Sequence, residues 1–417
     1  MENNINQFPF VKWQSKSRKY LILLGLLLFS LLLQSCPFAA TSNDVDCEKY
    51  GYQGRVAVNY FAYYNGSQWE DIPLPGITVN YDFMQTRTVF ADSVHHLFYF
   101  YHDYYGDYSS PRNLWAYSLD TRQWKLMISA SFMRYFTMKD GILYFYSTDS
   151  LFTTEKGIVR GSGIMKFDGN QLTQLDTVIR LDLMKQTNMF IAGDYVYIQQ
   201  LNANRSDELW RYSLSNKQYE KAPISIFFPW ADYNLDMNYI GVGRYIYYNY
   251  VNYISGESNH ASGIFRYDEL SGTSTEVVAS TNGLPRNWIA NEYYIYFNNA
   301  TIKYKGKSYS GSLLYDINKD EFITFKAGFG NNEYQNYLIK GCLLANQSVF
   351  IVGEFNYIND TPVGNIARYD VQERKIQSLD GGVYRTDAGC TPVSIQGIAS
   401  MRDKLLIYGN FQSAGIR

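Results

Sequence analysis

The chain has 417 residues and a net charge of −2, and its 40 tyrosines outnumber its lysines and arginines together, 37. Because the charge is nearly neutral and no basic cluster follows residue 19, the composition argues against a nucleic-acid partner.

The chain begins with a basic segment containing Lys12, Lys16, Arg18 and Lys19, followed by the apolar run LILLGLLLFSLLL at 21–33. A helix that crosses a bilayer needs about 20 apolar residues, and this run is shorter. A basic region followed by a short apolar run is typical of a secretory signal. The sequence therefore predicts that the rest of the chain lies outside the cytoplasm.

The residues Leu33-Gln34-Ser35-Cys36 resemble the lipobox of bacterial lipoproteins. This resemblance implies that the mature chain starts at Cys36 and that lipid attached there anchors it to a bacterial membrane, at the cell surface or in the periplasm. The alternative is an uncleaved anchor with an incidental cysteine. The expected organisation is a signal peptide at 1–35, the lipidated cysteine and a polar tether at 36–53, and a folded domain at 54–417.

The folded domain contains seven similar aromatic-rich segments, each predicted to be a strand. They are LFYFYHD (97–103), ILYFYS (142–147), YVYIQQ (195–200), RYIYYNYV (244–251), YYIYFNN (293–299), SVFIVGEF (348–355) and KLLIYGNF (404–411). Six of them are followed by another strand with an aligned aromatic residue: Tyr117, Phe167, Tyr212, Tyr267, Tyr315 and Tyr369. The seventh has no downstream partner, and the equivalent aromatic is Tyr64, near the other end of the domain.

Two further strands complete each predicted unit. A short apolar segment ending in a polar turn precedes each aromatic-rich segment, as in TVFADS at 88–93. After the aligned aromatic, another apolar residue follows at a regular spacing. Tyr117, for example, is followed seven positions later by Trp124, whereas Tyr64 reaches Trp69 after five, across an Asn-Gly turn suited to a tight hairpin. Tyr267 is the exception, because its next apolar pair is at 277–278.

Seven units of four antiparallel strands predict an all-β fold, a seven-bladed β-propeller. An open β-solenoid or paired β-sandwiches are the alternatives. Residues 56–72 are expected to supply the outer two strands of a composite blade, and residues 396–411 the inner two. This pairing would close the ring.

The segment Tyr117-SLDTRQ-Trp124 resembles the second half of a kelch repeat, although the paired glycines of that family are absent. The segments VGEFNYINDTPVGNIARYD (352–370), SLDGGV (378–383) and YGNFQSAG (408–415) resemble the delta-60 propeller repeats of large bacterial surface proteins and fungal cortical polarity proteins. This resemblance covers about 350–416. It implies a propeller in an extracytoplasmic setting, and it carries no catalytic residue to this chain.

Three cysteines follow Cys36. Cys342 is expected to be a small buried residue of an inner strand. Cys47 and Cys390 flank the two halves of the composite blade, so a disulfide between them is one possibility, and three unpaired thiols are the other. No Cys-x-x-Cys spacing indicates a metal site.

The sequence contains little that indicates catalysis. The histidine cluster HHLFYFYHD at 95–103 is the most metal-like segment, but His96 and His102 lie too far apart along a strand to share one ion. We therefore predict no catalytic residues, no metal and no cofactor, and a ligand-binding surface that the sequence does not locate. The leading hypothesis is a lipoprotein whose propeller binds a protein or carbohydrate ligand. The alternative is a polysaccharide hydrolase or lyase with acidic residues at the channel mouth.

Overall fold

A computed structural model describes residues 56–57, 61–73, 88–102, 111–175, 186–201, 207–224, 239–252, 261–280, 287–328, 338–345, 348–384, 395–401, 404–409, 411 and 413–414. Cys36, Cys47 and Cys390 lie outside these residues. Most of two further stretches rich in tyrosine, phenylalanine and tryptophan, at 102–110 and 227–239, also lies outside them. The predicted signal peptide, lipidation and disulfide therefore stay predictions.

The described residues form β-strands and contain no α-helix. In chain order the strands are β1 (Val56–Ala57), β2 (Phe61–Tyr64), β3 (Trp69–Asp71), β4 (Thr88–Asp92), β5 (Leu97–His102), β6 (Arg112–Ser118), β7 (Gln123–Ala130), β8 (Arg134–Lys139), β9 (Ile142–Thr154), β10 (Gly157–Phe167), β11 (Leu172–Gln174), β12 (Gln186–Ala192), β13 (Tyr195–Leu201), β14 (Asp207–Ser213), β15 (Tyr219–Lys221), β16 (Tyr239–Val242), β17 (Tyr245–Asn252), β18 (Ala261–Asp268), β19 (Thr273–Ser280), β20 (Asn287–Ala290), β21 (Tyr294–Tyr304), β22 (Lys307–Asp316), β23 (Glu321–Phe325), β24 (Ala327–Gly328), β25 (Ile339–Ala345), β26 (Ser348–Gly353), β27 (Tyr357–Ile358), β28 (Thr361–Pro362), β29 (Ile366–Asp370), β30 (Lys375–Ser378), β31 (Val383–Tyr384), β32 (Ile395–Met401), β33 (Lys404–Gly409) and β34 (Ser413–Ala414).

Most of these strands belong to antiparallel groups of four. Units 1 to 5 are β4–β7, β8–β11, β12–β15, β16–β19 and β20–β23, and unit 6 is β25, β26, β29 and β30. Units 1 and 2 are joined into one eight-stranded sheet by the pairing of β7 with β9. The composite unit has the order β3-β2-β33-β32, so strands from the two ends of the folded domain form one sheet. Tyr64 of β2 lies opposite Leu405 of β33. Tyr64 belongs to the predicted outer half of that sheet, and Leu405 belongs to the predicted inner half.

The aligned aromatic residues occupy equivalent register positions. Tyr117 lies opposite Trp124 and Tyr64 opposite Trp69, and four further predicted partners pair in the same way: Phe167 with Leu172, Tyr212 with Tyr219, Tyr315 with Phe322 and Tyr369 with Ile376. In the two shorter turns, Gly66 and Gly169 have φ values of 104° and 86°, the region that favours glycine. Cross-strand pairing therefore explains the spacing found in the sequence.

Unit 4 was the predicted exception in the spacing after the aligned aromatic residue. Tyr267 lies opposite Ser274, seven positions later, so the register is kept although the partner side chain is polar. A β-bulge between Ile264 and Phe265 interrupts the pairing of β18 with β19.

Seven hydrophobic clusters join successive units. One cluster packs Phe98 and Phe100 of unit 1 against Phe61 of the composite unit, and another packs Phe350 of unit 6 against Ile407 of the composite unit. The other five clusters join units 1–2, 2–3, 3–4, 4–5 and 5–6. Sheets that pack face to face in succession have the arrangement of a β-propeller.

The innermost strands approach one another closely. A Cβ atom on Gly241 of β16 would lie 1.8 Å from the carbonyl oxygen of Ile191 on β12. Glycine is therefore required where unit 4 meets unit 3. Contacts between β32 and β4, and between β25 and β32, continue the succession through the composite unit.

In four units, the segment that follows the second strand folds back onto the preceding unit. The β9–β10 hairpin pairs with β7, with Thr154 opposite Ile128, and the β21–β22 hairpin packs against β19. In unit 6 the β27–β28 hairpin pairs with β24, which follows unit 5. At the composite unit, β34 pairs with both β1 and β31. Strands from the two ends of the domain thus occupy the place of a hairpin.

Candidate functional site

The turns between first and second strands, and between third and fourth strands, lie at one end of each antiparallel sheet. We call this end the turn face. The described first turns are residues 93–96, 140–141, 193–194, 243–244 and 291–293, in units 1 to 5. Their proximity to the innermost strands makes the turn face one mouth of the propeller.

The first turns contact one another in succession. The backbone N–H of Gly193 donates to the Gly243 carbonyl at 2.7 Å, and Lys139 Nζ donates to the Gly193 carbonyl at 2.6 Å. A Cβ atom on Gly243 would lie 2.9 Å from the carboxylate of Glu292. The turn face is therefore a packed surface of turns.

Most acidic residues at the ends of the third strands stabilise turns. Asp168, Asp316 and Asp370 each accept hydrogen bonds from the backbone N–H groups two and three residues onward, at 2.7–3.1 Å. Asp268 accepts one such bond from Leu270, and Asn65 uses its amide oxygen in the same way. These side chains carry out the backbone capping that Asp and Asn commonly perform in turns.

Asp92 and His95 form an oriented acid–imidazole pair in the first turn of unit 1. The Asp92 side chain is fully buried, and its Oδ2 lies 2.7 Å from His95 Nδ1. Its Oδ1 accepts the backbone N–H groups of Val94 and His95. Asn291 caps the equivalent turn of unit 5 without a histidine. Capping therefore accounts for one oxygen of Asp92 but not for the oxygen that orients the imidazole.

Unit 2 encloses the buried side of this pair. A Cβ atom on Gly141 would lie 2.9 Å from Asp92 Oδ1, and one on Gly169 would lie 3.9 Å from His95 Nδ1. Among the described residues, Nε2 of His95 has no hydrogen-bond partner, and the side chain is 45% exposed. When a carboxylate fixes one imidazole nitrogen, the other nitrogen stays accessible and can accept a proton or bind a ligand.

His95 and His96 were predicted to lie on a strand, and this prediction was wrong. Both lie in the turn before β5, and His96 adopts a φ of 55°. His96 Nδ1 lies 3.3 Å from Asp120, an exposed contact. His102 lies at the opposite end of β5, so the cluster is dispersed. No group of three or more possible metal ligands occurs within the described part of the chain.

Three large apolar side chains project from the turn face. Val94 is 60% exposed, Leu270 is 79% exposed and Tyr293 is 40% exposed. They lie in turns of units 1, 4 and 5, where polar residues and glycine are usual. Exposed apolar side chains at turn tips are accessible to a partner, and Leu151 and Ile158 of the β9–β10 hairpin are exposed to a similar degree.

Leu270 lies beside an arginine–tyrosine cluster. The Tyr245 ring has Arg244 and Arg266 at 5.0 and 4.7 Å from its centroid, and Arg244 also lies 3.0 Å from the Asp268 carboxylate. The backbone N–H of Glu269 donates to the Arg244 carbonyl at 3.2 Å. Tyrosine and arginine are enriched among the residues that dominate binding energy at protein interfaces.

A buried ion pair joins units 3 and 4 beneath these turns. Arg211 lies 2.8 Å from Glu269 and 2.7 Å from Glu220, and it stacks 4.1 Å from the Tyr195 ring centroid. Burial raises the pKa of the Glu269 carboxyl to about 7, and the guanidinium of Arg211 acts in the opposite direction. This pair was not predicted from the sequence, because the two residues are 58 positions apart and no local pattern connects them.

Cys342 lies on the innermost strand of unit 6 as a free thiol. Burial raises its pKa well above the ordinary value, which keeps the thiol protonated. The strand is the predicted one, and the side chain is partly buried. In the part of the chain that the structure describes, no helix has the length and apolar character needed to cross a bilayer.

The fold and the turn face together define an all-β protein of propeller architecture. No family model and no curated protein matches the chain. It is similar to the β-propeller domain of the Trilobed protease from Pyrococcus furiosus, with 9% identity, a TM-score of 0.44, and coverage of 76% of this chain and 89% of that one.

Two further solved structures resemble the chain. TolB from Acinetobacter baumannii has 9% identity and a TM-score of 0.33, and the match covers 73% of this chain and 61% of TolB. The GH74 xyloglucanase from Xanthomonas campestris has 11% identity and a TM-score of 0.45, with 84% and 56% covered. At these values the comparisons assign no activity. The propeller architecture rests on the topology and packing of this chain.

Proposed function

We propose that the chain forms a seven-bladed β-propeller closed by the composite unit. The support is the succession of seven clusters, two of which join the composite unit to units 1 and 6. Two hydrogen bonds add to these contacts: Trp69 Nε1 donates to the Leu379 carbonyl at 2.6 Å, and Trp124 Nε1 donates to the Pro73 carbonyl at 2.7 Å. Each bond joins the composite unit to one neighbour.

The propeller is held outside the cytoplasm by lipid attached to Cys36. The lipobox-like sequence at 33–36 supports this anchoring, and residues 36–53 act as the tether. Lipid attachment adds about 0.8 kcal/mol of membrane affinity per buried methylene group. The test is Cys36→Ser in the native host. Loss of membrane retention and a change in apparent size are expected, and a variant that stays membrane-bound at unchanged size would contradict lipidation.

The propeller functions as a binding module, and the turn face contacts its partner. The observation that carries this proposal is the exposure of Val94, Leu270 and Tyr293 at turn tips, together with the Arg244–Tyr245 cluster in the unit that carries Leu270. A protein partner fits this surface better than a glycan, because two of the three exposed side chains are aliphatic and cannot stack on sugar rings as aromatic residues do. Buried aromatic and arginine anchors with polar surroundings are typical of protein interfaces.

The binding proposal is tested with the full chain, purified in detergent, on arrays of envelope and host extracellular proteins and on a glycan array. Leu270→Asp is expected to abolish a saturable interaction seen with the unmodified chain, because it places a charge at a desolvated contact. Leu151→Asp, at an exposed position of the β9–β10 hairpin away from the turn face, is the matched control. Equal loss in both variants would argue against the turn face.

A second candidate function is polysaccharide hydrolysis, and the Asp92–His95 pair is the observation that favours it. An imidazole oriented by a buried carboxylate is suited to general acid–base catalysis. A reducing-sugar assay on acidic and neutral polysaccharides separates the candidates. Turnover that disappears in His95→Gln would replace the binding-only proposal, and turnover that persists in this variant would exclude His95 as the proton-transfer group.

A further inference from the structure

Two arginines flank one tyrosine ring in unit 4, and only one of them has a carboxylate partner. The guanidinium carbons of Arg244 and Arg266 lie 5.0 and 4.7 Å from the centroid of the Tyr245 ring. Arg244 also lies 3.0 Å from the Asp268 carboxylate, whereas no carboxylate of the described residues lies within ion-pair distance of Arg266. Arg266 is partly buried. A cation that leaves water without an opposing charge raises the free energy of the folded state.

A buried hydroxyl lies beside Arg266. Tyr247 is opposite Arg266 in the pairing of β17 with β18, and its side chain is 0% exposed. Its hydroxyl forms no hydrogen bond with any described residue. Burial raises the pKa of Tyr247, which keeps the hydroxyl protonated, and the nearby Arg266 guanidinium acts in the opposite direction. Two neighbouring groups that donate hydrogen bonds therefore face a position where an oxygen acceptor would stabilise both.

Glu292, in the first turn of unit 5, is the carboxylate beside this position, but it does not pair with the arginines. A Cβ atom on Gly243 would lie 2.9 Å from its Oε1, and its negative charge contributes to the raised pKa of Tyr247. Neither Arg244 nor Arg266 lies within ion-pair distance of it. Glu292 is exposed and remains in water. An acceptor for Arg266 and Tyr247 is therefore supplied by a ligand.

We propose that Arg266 and Tyr247 bind a small oxyanion, a carboxylate or a phosphate, with Arg244 as the second cation. Guanidinium groups bind both classes through paired N–H donors in a fixed planar geometry. The Tyr245 ring holds the two guanidinium groups by cation–π contact. Such an anion is either free phosphate or a carboxylate carried by a partner at the turn face. The inference rests on the geometry of this cluster and not on the partner proposed above.

The test is isothermal titration of the full chain in detergent with inorganic phosphate and, separately, with acetate, each against chloride at equal ionic strength. Saturable binding is expected, and tighter binding of phosphate or of acetate distinguishes the two sources. Arg266→Gln is expected to weaken binding by about tenfold or more, since a charge-assisted hydrogen bond is lost. Arg266→Lys is expected to weaken it less, because the charge stays. Tyr247→Phe is expected to weaken binding without lowering the unfolding free energy, because the hydroxyl has no acceptor in the protein to lose.

Lys217→Gln is the matched control, because it removes one exposed positive charge from the turn face of unit 3. Unchanged affinity in this variant supports a defined site, and weakening equal to that of Arg266→Gln overturns it. Glu292→Gln is expected to tighten binding, because a like charge near the anion is removed.

Absence of saturable binding by the unmodified chain overturns the proposal. If Arg266→Gln does not fold, Tyr247→Phe and Glu292→Gln replace it, and unchanged affinity in both folded variants contradicts the site. Because the probes are small anions, this result is separate from the outcome of the protein-array test.

Discussion

Deletion of residues 404–417 is expected to unfold the whole propeller, although it removes only β33 and the two-residue strand β34. The deletion takes away β33, which pairs on one side with β32 and on the other with β2. Leu405 and Ile407 pack toward unit 6, and Leu406 and Tyr408 pack toward unit 1. The deletion therefore disrupts both interfaces of the composite unit, the one with unit 6 and the one with unit 1.

The magnitude follows from burial. Leu405, Leu406 and Ile407 are 0% exposed, and Tyr408 is 1% exposed. Truncating a buried Leu or Ile to Ala costs about 2–5 kcal/mol. Four buried side chains of this size correspond to about 8–20 kcal/mol, compared with a typical unfolding free energy of about 5–15 kcal/mol. The loss is enough to unfold the chain even before the exposed strand edges are considered.

The assay is urea unfolding followed by tryptophan fluorescence, with limited proteolysis as a second readout. Leu406→Ala provides a milder version and is expected to lower the unfolding free energy by about 2–5 kcal/mol. Leu151→Ala, at an exposed position, is the control and is expected to change it by less than about 0.5 kcal/mol. A soluble truncated chain with a single cooperative transition near that of the full chain would refute the closed ring.

Three further outcomes are expected. Gly241→Ala lowers the unfolding free energy by about 1–3 kcal/mol through overpacking, whereas Gly341→Ala, where a Cβ meets only a side chain at 3.8 Å, changes it little. Glu269→Gln flattens the pH dependence of stability: because the folded-state pKa is raised to about 7 from 4.5, the contribution of this carboxyl is present below about pH 4.5 and is lost as the pH rises to 7. Urea midpoints of the variant and of the unmodified chain across pH 4–8 measure this contribution. The same dependence of the midpoint on pH in both proteins would contradict it. Asp92→Ala costs about 1–3 kcal/mol, because backbone N–H groups lose their acceptor, and a cost no larger than that of His95→Gln would contradict this role.

The repeating strand pattern was predictable because local and long-range constraints coincide in it. Tyr117 and Trp124 are separated by a turn whose length fixes their register, and the same spacing recurs in other units. Where one constraint was missing, the cross-strand partner was not recognised. Ser274 occupies the position opposite Tyr267, and a polar residue there gave no hydrophobic signal for the strand.

The turn-face residues were less predictable. His95 and His96 precede an alternating apolar strand, so the sequence alone extended that strand through them. The buried capping oxygen of Asp92 ends the innermost strand and places both histidines in the turn. Contacts between units, such as Arg211 with Glu269, depend on how sheets face one another, and this packing has no periodic signature in the sequence.

The fold-back strands relate the proposed anchor to the turn face. β31 follows the outer strand of unit 6, and β34 follows β33, so both lie at the end of their sheets opposite the turn face. β1 pairs with β34, with Val56 opposite Ala414, and therefore lies at that same end. The chain thus enters the propeller away from the turn face. Val94, Leu270 and Tyr293 therefore lie at the end of the sheets opposite β1, where the described part of the chain begins.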